Sequence, residues 1–459
     1  MRSLRIAAVL CLVAGAAMAD ENSDLDMIPA EMKDAPPAPE TTVAPRGKLS
    51  IEDAVTLGGL RGGMVVPVPG QAPPRWQNRT SFDARWQFDL GGDVALTISN
   101  RLNLFERDGL AVGQGRTASD DLREAYMTWE AAPRTYLEAG RINLREGVAL
   151  GYNPTDFFRA RTLLDQASAD PSALRDNRLG TMMLRGQHIG DLGAVSISYA
   201  PKLTDPSRVG AGTTVPLDPH LDRTNAADRV LASVRADVAG LAPQALVFHD
   251  GTHTKFGFSA TGTLGQRVVA YGEWAGGVEP TLVAEAVRYG TLTGTLPKGV
   301  PLLPVTGNGE RFRNDLALGL SWTGETKLTI NAEYHLHEAG FSRQDWRNWF
   351  ALGRKVPALD GMLWYERGYA ADQQVPIAQH QVFLRADWAD AFVRDMDVTA
   401  LAFINPLDGS SLLQVAAVQN FDRNWTAGLY VAGNLGAPRS EHGSLKGETS
   451  VTAQVQRFF

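Results

Sequence analysis

The sequence predicts an all-β fold, a transmembrane antiparallel β-barrel of about eighteen strands, with sixteen the other admissible count. Three observations predict it. Apolar and polar residues alternate with a period of two, in runs of about ten residues, from near residue 80 to the C-terminus. The connections between these runs alternate between short turns and long loops. Beyond the N-terminal leader no stretch of about eighteen uninterrupted apolar residues occurs, which excludes helical membrane spans.

The leader comes first. Arg2 and Arg5 form a basic start, Ile6 to Ala14 a short apolar core, and Ala17-Met18-Ala19 a small-x-small cleavage site. Residues 1–19 therefore read as a signal peptide, with the mature chain starting at Asp20. Cys11 follows Leu10, where a lipidation signal wants a small residue, and it is the only cysteine. The mature chain then has no disulfide, and closure of a barrel is one other route to stability. Loss of the two leader arginines takes the net charge from −7 to −9. No nucleic-acid partner is expected of so acidic a chain.

From Asp20 to Pro45 the chain holds seven Asp or Glu against one Lys, with prolines at 29, 36, 37, 39 and 45. Such a segment has too little apolar surface to order itself, so residues 20–50 are expected to be a disordered periplasmic tether. Residues 51–459 are expected to form the barrel.

The strands follow in order. Phe82, Ala84, Trp86, Phe88 and Leu90 alternate with Asp83, Arg85, Gln87 and Asp89. Leu328, Ile330, Ala332, Tyr334 and Leu336 alternate with Thr329, Asn331, Glu333 and His335. Such a period puts one set on each face of a strand. Seventeen runs of this kind are clear, the first at 80–90 and the last at 449–459. Short connections such as Gly91-Gly92, Leu264-Gly265 and Gly324 to Thr326 separate long ones at 142–179, 201–227, 275–312, 338–378 and 434–448. With short turns periplasmic, Gly324 lies inside and Gly210 and Gly307 lie in outer loops. Parity then requires one more upward strand before residue 80, and Leu57 to Val68 is the candidate.

Two segments carry a family resemblance. Val451, Ala453, Val455 and Phe459 alternate toward a terminal phenylalanine, which resembles the assembly signal of Gram-negative outer-membrane proteins. Arg457 departs from that pattern, since an apolar residue is usual there. Gly140-Arg141-Ile142-Asn143, followed by Gly151-Tyr152-Asn153-Pro154-Thr155-Asp156-Phe157-Phe158, resembles a motif of uncharacterised proteobacterial outer-membrane proteins. In size, strand number and lack of a plug domain the chain is similar to the alginate-export and substrate-specific porin families. The resemblance implies a bacterial outer-membrane channel for small polar solutes. It also implies contact with membrane lipid and lipopolysaccharide, and insertion by the barrel-assembly machinery through Phe459.

Loop 142–179 is the candidate constriction. It carries Arg145, Arg159, Arg161, Arg175 and Arg178 beside Glu146, Asp156, Asp165, Asp170 and Asp176, and Arg141 precedes it. Facing basic and acidic walls filter solutes by charge; a solvated surface loop is the plainer alternative. On the strands, Arg85, Arg101, Arg185, Arg235, Arg267, Arg313 and Arg385 are expected to face Asp83, Glu124, Glu130, Asp237, Glu273, Asp315, Glu333 and Asp387. Many of these should simply link neighbouring strands.

His335 and His337 share a face with Glu333, and His249 and His253 span a tight loop, but no third ligand is fixed. No metal and no cofactor are assigned. Nor is an enzyme, because no Gly-x-Ser-x-Gly motif occurs. Trp346, Trp349, Phe350, Trp364 and Tyr365 either offer sugar-stacking faces or pack the loop's own core. Trp274, Trp322, Trp388 and Trp425 are expected in the interfacial girdle. The rival to a channel is a structural or adhesive surface protein with a closed lumen.

Overall fold

The computed structural model describes residues 46–70, 72–108, 118–164, 171–209, 218–238, 240–304 and 309–459. The leader, most of the tether, Asp165, Asp170, Gly210 and Gly307 lie outside the described residues. Eighteen antiparallel strands form one sheet that closes on itself, β1 pairing with both β2 and β18. They begin with β1 Arg46–Leu60, β2 Trp76–Gly91, β3 Val94–Arg107, β4 Ala118–Ala132, β5 Thr135–Ile142 and β6 Thr181–Gly190. Next come β7 Gly193–Ala200, β8 Arg229–Ala236, β9 Gln244–His249, β10 Thr254–Leu264, β11 Val268–Glu279 and β12 Arg311–Thr323. The ring ends with β13 Leu328–His337, β14 His380–Trp388, β15 Met396–Asn405, β16 Ser410–Asn420, β17 Trp425–Leu435 and β18 Gly447–Phe458. Among the described residues no helix is long and apolar enough to cross a membrane.

Every strand read from the alternation is present, and the parity argument for an eighteenth holds. The position of that strand is corrected. It runs over 46–60 and so includes the last residues assigned to the tether, while residues 61–70 leave the sheet. Glu52, Ala54 and Thr56 face inward and Ile51, Val55 and Leu57 outward, as alternation requires. The glycine-rich stretch after Leu60 instead carries Val66 into a buried apolar cluster, where it is 1% exposed.

Strict alternation of connection length is also corrected. At the end bearing the long loops, 250–253 and 406–409 are tight turns. Asp250 closes the first with its carboxylate on the backbone N–H groups of Thr252 and His253, 2.9 and 2.7 Å.

The outer face is apolar. Leu184, Ile197, Leu318, Leu320, Val415 and Leu429 all point out of the ring and stay exposed, the band a bilayer would cover. Trp322, Trp388 and Trp425 stand at the turn end of this face, and Trp274 lies farther up, ring to ring with Phe312 at 6.4 Å. Arg457 also points outward, with its guanidinium 5.2 Å from the Trp425 ring and 4.7 Å from Phe459. Two rings shield the charge at the rim, which accounts for its departure from an apolar pattern.

Among the described residues five helices interrupt the loops: α1 Pro171–Asp176, α2 Leu221–Thr224, α3 Leu282–Leu292, α4 Arg343–Lys355 and α5 Asp360–Gln373. Thr281 caps α3, and Ser342 with Asp345 forms a capping box on α4. Helices α3 to α5 enclose an apolar core of Leu282, Val283, Phe341, Trp346, Trp349, Phe350 and Leu363, into which Val66 inserts. Trp346, Trp349 and Phe350 are thus packing residues of this cap.

Candidate functional site: the constricted lumen

The β5–β6 loop turns into the barrel and crosses to the far wall. Two carboxylates on that wall hold it. Glu273 of β11 accepts hydrogen bonds from the N–H groups of Val148, Ala149 (2.5 Å) and Thr155 (3.3 Å). The Thr155 hydroxyl (2.8 Å) and the Asn153 amide (3.2 Å) donate to the same carboxylate. Glu333 of β13 accepts from the N–H groups of Leu150 (2.7 Å) and Gly151 (2.8 Å), and from the Tyr271 hydroxyl (2.7 Å). Consecutive N–H groups converging on an anion form a nest, and hydrogen bonds to a charged acceptor are the strong kind.

Two glycines permit this approach. Gly147 has φ +92°, and a Cβ there would sit 2.6 Å from a Glu273 oxygen. A Cβ on Gly151 would sit 2.7 Å from the Phe383 ring. Apolar contacts finish the seat: Phe157 stacks on Phe248 at 4.7 Å, and Phe158 meets it edge-on at 5.8 Å. Gln244 of β9 donates to Glu146 at 2.8 Å.

Several of the expected constriction charges lie within the loop's own scaffold. Asp156 and Arg178 are both buried and pair at 2.5 Å. Arg161 is buried, bonding Asp372 of α5 at 3.2 Å and the Ser207 hydroxyl at 2.8 Å. Burial raises the Asp372 carboxyl above the usual range, against the pull of Arg161. Arg159 donates to the Asn153 carbonyl at 2.7 Å and lies over the Tyr152 ring. Arg145 pairs with Asp176 at the exposed edge. Arg141 is buried and donates to the Pro219 carbonyl.

The strand charges divide differently. On β1 to β4, Glu52 and Asp83 alternate with arginines: Arg79 pairs with Glu52, and Arg101 bridges Glu52 (3.4 Å) and Asp83 (3.2 Å). Arg123 pairs with Asp83, and the half-exposed Arg85 reaches Glu124 at 3.7 Å. Arg185 meets Glu138 at 2.9 Å, and Arg385 meets Asp387 on its own strand at 2.7 Å. The sequence pointed to arginines facing Glu273 and Glu333; the loop backbone faces them instead. The usable signal was the loop segment 147–155, which carries no charge and two glycines.

His335 donates or accepts between Glu333 (2.8 Å) and Gln381 (3.1 Å), and His337 bonds Asp315 at 2.7 Å. Both nitrogens of His335 and the Nδ1 of His337 serve the wall network, while the buried Nε2 of His337 has no hydrogen-bond partner. Among the described residues the ligand atoms of Asp218, His220 and Asp222 come close together. His220 is already 3.1 Å from Asp121, and the buried Arg141 guanidinium lies against the same segment, an arrangement that opposes a second cation.

A cavity of about 640 Å³ lies at the loop end between α5, Val68-Pro69 and Glu441 to Leu445, and reaches Gln381 of β14. Trp364 and Tyr365 line it. Arg367 is held there by the Ser444 hydroxyl and the Glu441 carbonyl, both at 2.8 Å, and stacks over Trp364 at 4.8 Å. Burial lowers Arg367 to about 10, pushes the Glu441 carboxyl up to about 7, and pulls His442 down to about 4.

No family model matches the chain, and no curated protein matches it. Solved structures do. A mutant of the Rh. blastica porin covers 91% of this chain over 100% of its own length, at 11% identity and a TM-score of 0.40. Salmonella typhi OmpF in complex with daunomycin covers 90% over 98% of its own length, at 9% identity and a TM-score of 0.41. The fold itself is a closed eighteen-stranded antiparallel β-barrel with one loop turned into its lumen.

Proposed function

We propose that this protein is an outer-membrane channel of a Gram-negative bacterium, carrying small polar solutes by passive or facilitated diffusion. One observation carries the reading: a loop is anchored across the lumen by Glu273 and Glu333. A barrel that served only as a surface scaffold would gain nothing from carboxylates aimed inward at a loop. A narrowed water-filled path gains an aperture of fixed size from them. The aperture lies between the loop and the walls of β14 to β18 and β1 to β4, where inner residues such as Arg85, Tyr430 and Gln454 stay partly exposed.

The test is conductance. Purified protein in a planar bilayer should open discrete ohmic steps, and liposomes containing it should swell in small polar solutes. A second reading, a closed adhesive protein, draws support from the helical cap over the mouth. It requires that neither steps nor swelling occur. Lipid, lipopolysaccharide and the assembly machinery are the partners this reading implies, with Phe459 as the assembly signal.

A further inference from the structure

The inner faces of four consecutive strands carry no charge between their rims. On β15 these residues are Thr399, Leu401, Phe403 and Asn405, with Asp397 at the turn-end rim. The inner positions of β16 and β17 are likewise neutral, and on β18 only Glu448 at the loop-end rim is charged, paired with Arg61 at 3.2 Å. Yet the neighbouring sector, β1 to β4, bears the alternating arginines and carboxylates already described. Random placement of a fifth of the residues as charges would not leave so wide a sector blank.

This sector is also accessible. Phe403, Leu412, Tyr430, Gln454 and Gln456 are partly exposed to the lumen, whereas the inner residues of β12 and β13 at similar height are buried. Gln454 stands out among them. Its two cross-strand neighbours are Gly428 and Ala54, so its amide stands above small residues. The Tyr430 ring folds over Gly428, leaving its hydroxyl 3.1 Å from where a Cβ would be. Phe403, packed on one side against Phe383 at 4.8 Å, supplies an apolar surface higher on the same wall. At the mouth, the cavity of about 640 Å³ reaches Gln381, beside these strands, and its volume is within the usual range for small-molecule sites, roughly 300–1,000 Å³.

We infer that the neutral wall of β15 to β18 is the track of the permeating solute, and that this solute is uncharged and hydroxyl-rich. The inference rests on the channel reading above and narrows its substrate class. Ring C–H faces pack on Phe403 and Tyr430. Hydroxyls exchange hydrogen bonds with the Gln454 and Gln456 amides and with water at little net cost, because neither partner carries charge. A charged solute finds no counter-charge on this wall, and on the other wall finds Arg79, Arg101 and Arg123 engaged by Glu52 and Asp83, and Arg85 facing Glu124.

Three tracers of nearly equal size separate the possibilities: glucose, gluconate and glucosamine, followed by efflux from liposomes holding the full protein. Glucose should leave several-fold faster than either charged analogue. Gln454→Glu, isosteric and set among small neighbours, should cut glucose efflux several-fold and shift ion selectivity toward cations while the heat-modifiable barrel remains. Phe403→Ala should shorten glucose-induced interruptions of single-channel current. Equal efflux of the three tracers, or Gln454→Glu efflux unchanged, overturns the neutral-track inference while channel conductance persists. Absence of any conductance removes the channel reading itself, and the track with it.

Discussion

The two halves of the inner wall are built to opposite ends. From β6 to β13 the inward side chains away from the turn end are covered: Met183, Leu231, Leu246 and Phe248 receive the loop's apolar face, and Glu273 and Glu333 receive its backbone. From β14 through β18 to β4 the inward side chains meet one another or water, as in the Thr56–Thr452 hydroxyl pair at 2.8 Å and the Gln456–Ser50 contact at 3.1 Å. The same alternating pattern therefore serves two purposes. In one half a polar inward residue is an anchor with a partner far away in sequence. In the other it is a surface in contact with the path.

Breaking the anchored half should give the largest effect. Replacing Glu273 and Glu333 together by alanine leaves the loop's N–H groups without acceptors and removes hydrogen bonds to charge, each of roughly 1.5–3 kcal/mol before non-additivity. Conductance should rise several-fold and residues 147–158 should become sensitive to protease, with the barrel still heat-modifiable. An unchanged conductance would mean that the loop does not bound the aperture.

The open half should respond through selectivity. Arg101 bridges Glu52 and Asp83, which also pair with Arg79 and Arg123, so Arg101→Ala removes one positive charge from the path wall and leaves each carboxylate with a single arginine. Reversal potentials in a salt gradient should move toward cation preference by about two-fold in permeability ratio, a shift of roughly 0.4 kcal/mol, with conductance nearly constant. Movement toward anions would contradict the charge balance described for β1 to β4.

What was legible follows the same division. Period-two alternation is a local property, so the strands, the parity of their directions and the outward apolar face could all be read from neighbouring residues. The open half kept its local meaning as well: Arg101 meets Asp83 on the adjacent strand, and Arg79 meets Glu52. The anchored half did not. Glu333 lies about 180 positions from Leu150 and Gly151, and nothing near either end marks the other. The first strand was misplaced for a related reason. Glycines after Leu57 resemble a weak strand, but Val66 takes its place from the cap core formed by residues over 200 positions away.

A smaller effect sharpens the comparison at the cap, which bridges the two halves. Glu441 is held by Asn405 at 2.7 Å, beside Arg367, Asp408 and His442. Its carboxyl is raised from 4.5 to about 7 by burial, so the folded cap favours the protonated form. Its contribution is complete below pH 4.5 and is lost as pH rises through about 7. His442, lowered to about 4, acts in the other sense: stability falls as pH drops from 6.5 toward 4. Hydrogen exchange of α5 should therefore be slowest in mildly acidic buffer. In Glu441→Gln the loss at higher pH should vanish and the acid-side loss remain; a variant with the wild-type profile would rule out Glu441 as the titrating group.

The smallest effect on the folded barrel is expected at the chain's end. The Phe459 N–H donates to the Leu49 carbonyl at 2.9 Å, and its ring lies under Arg457 with 39% of the residue exposed. One partly exposed rim ring contributes about 1 kcal/mol of burial or less, beside a closed ladder of strand hydrogen bonds. Deleting Phe459 should thus leave refolding yield in detergent nearly unchanged. Surface abundance in cells should fall instead, with unfolded chain accumulating in the periplasm, if the terminal ring is read during insertion. Equal losses in both measurements would make Phe459 a structural residue of the rim. Two unchanged measurements would show that Val451, Ala453 and Val455 suffice for assembly, and that the terminal ring serves only to cover Arg457.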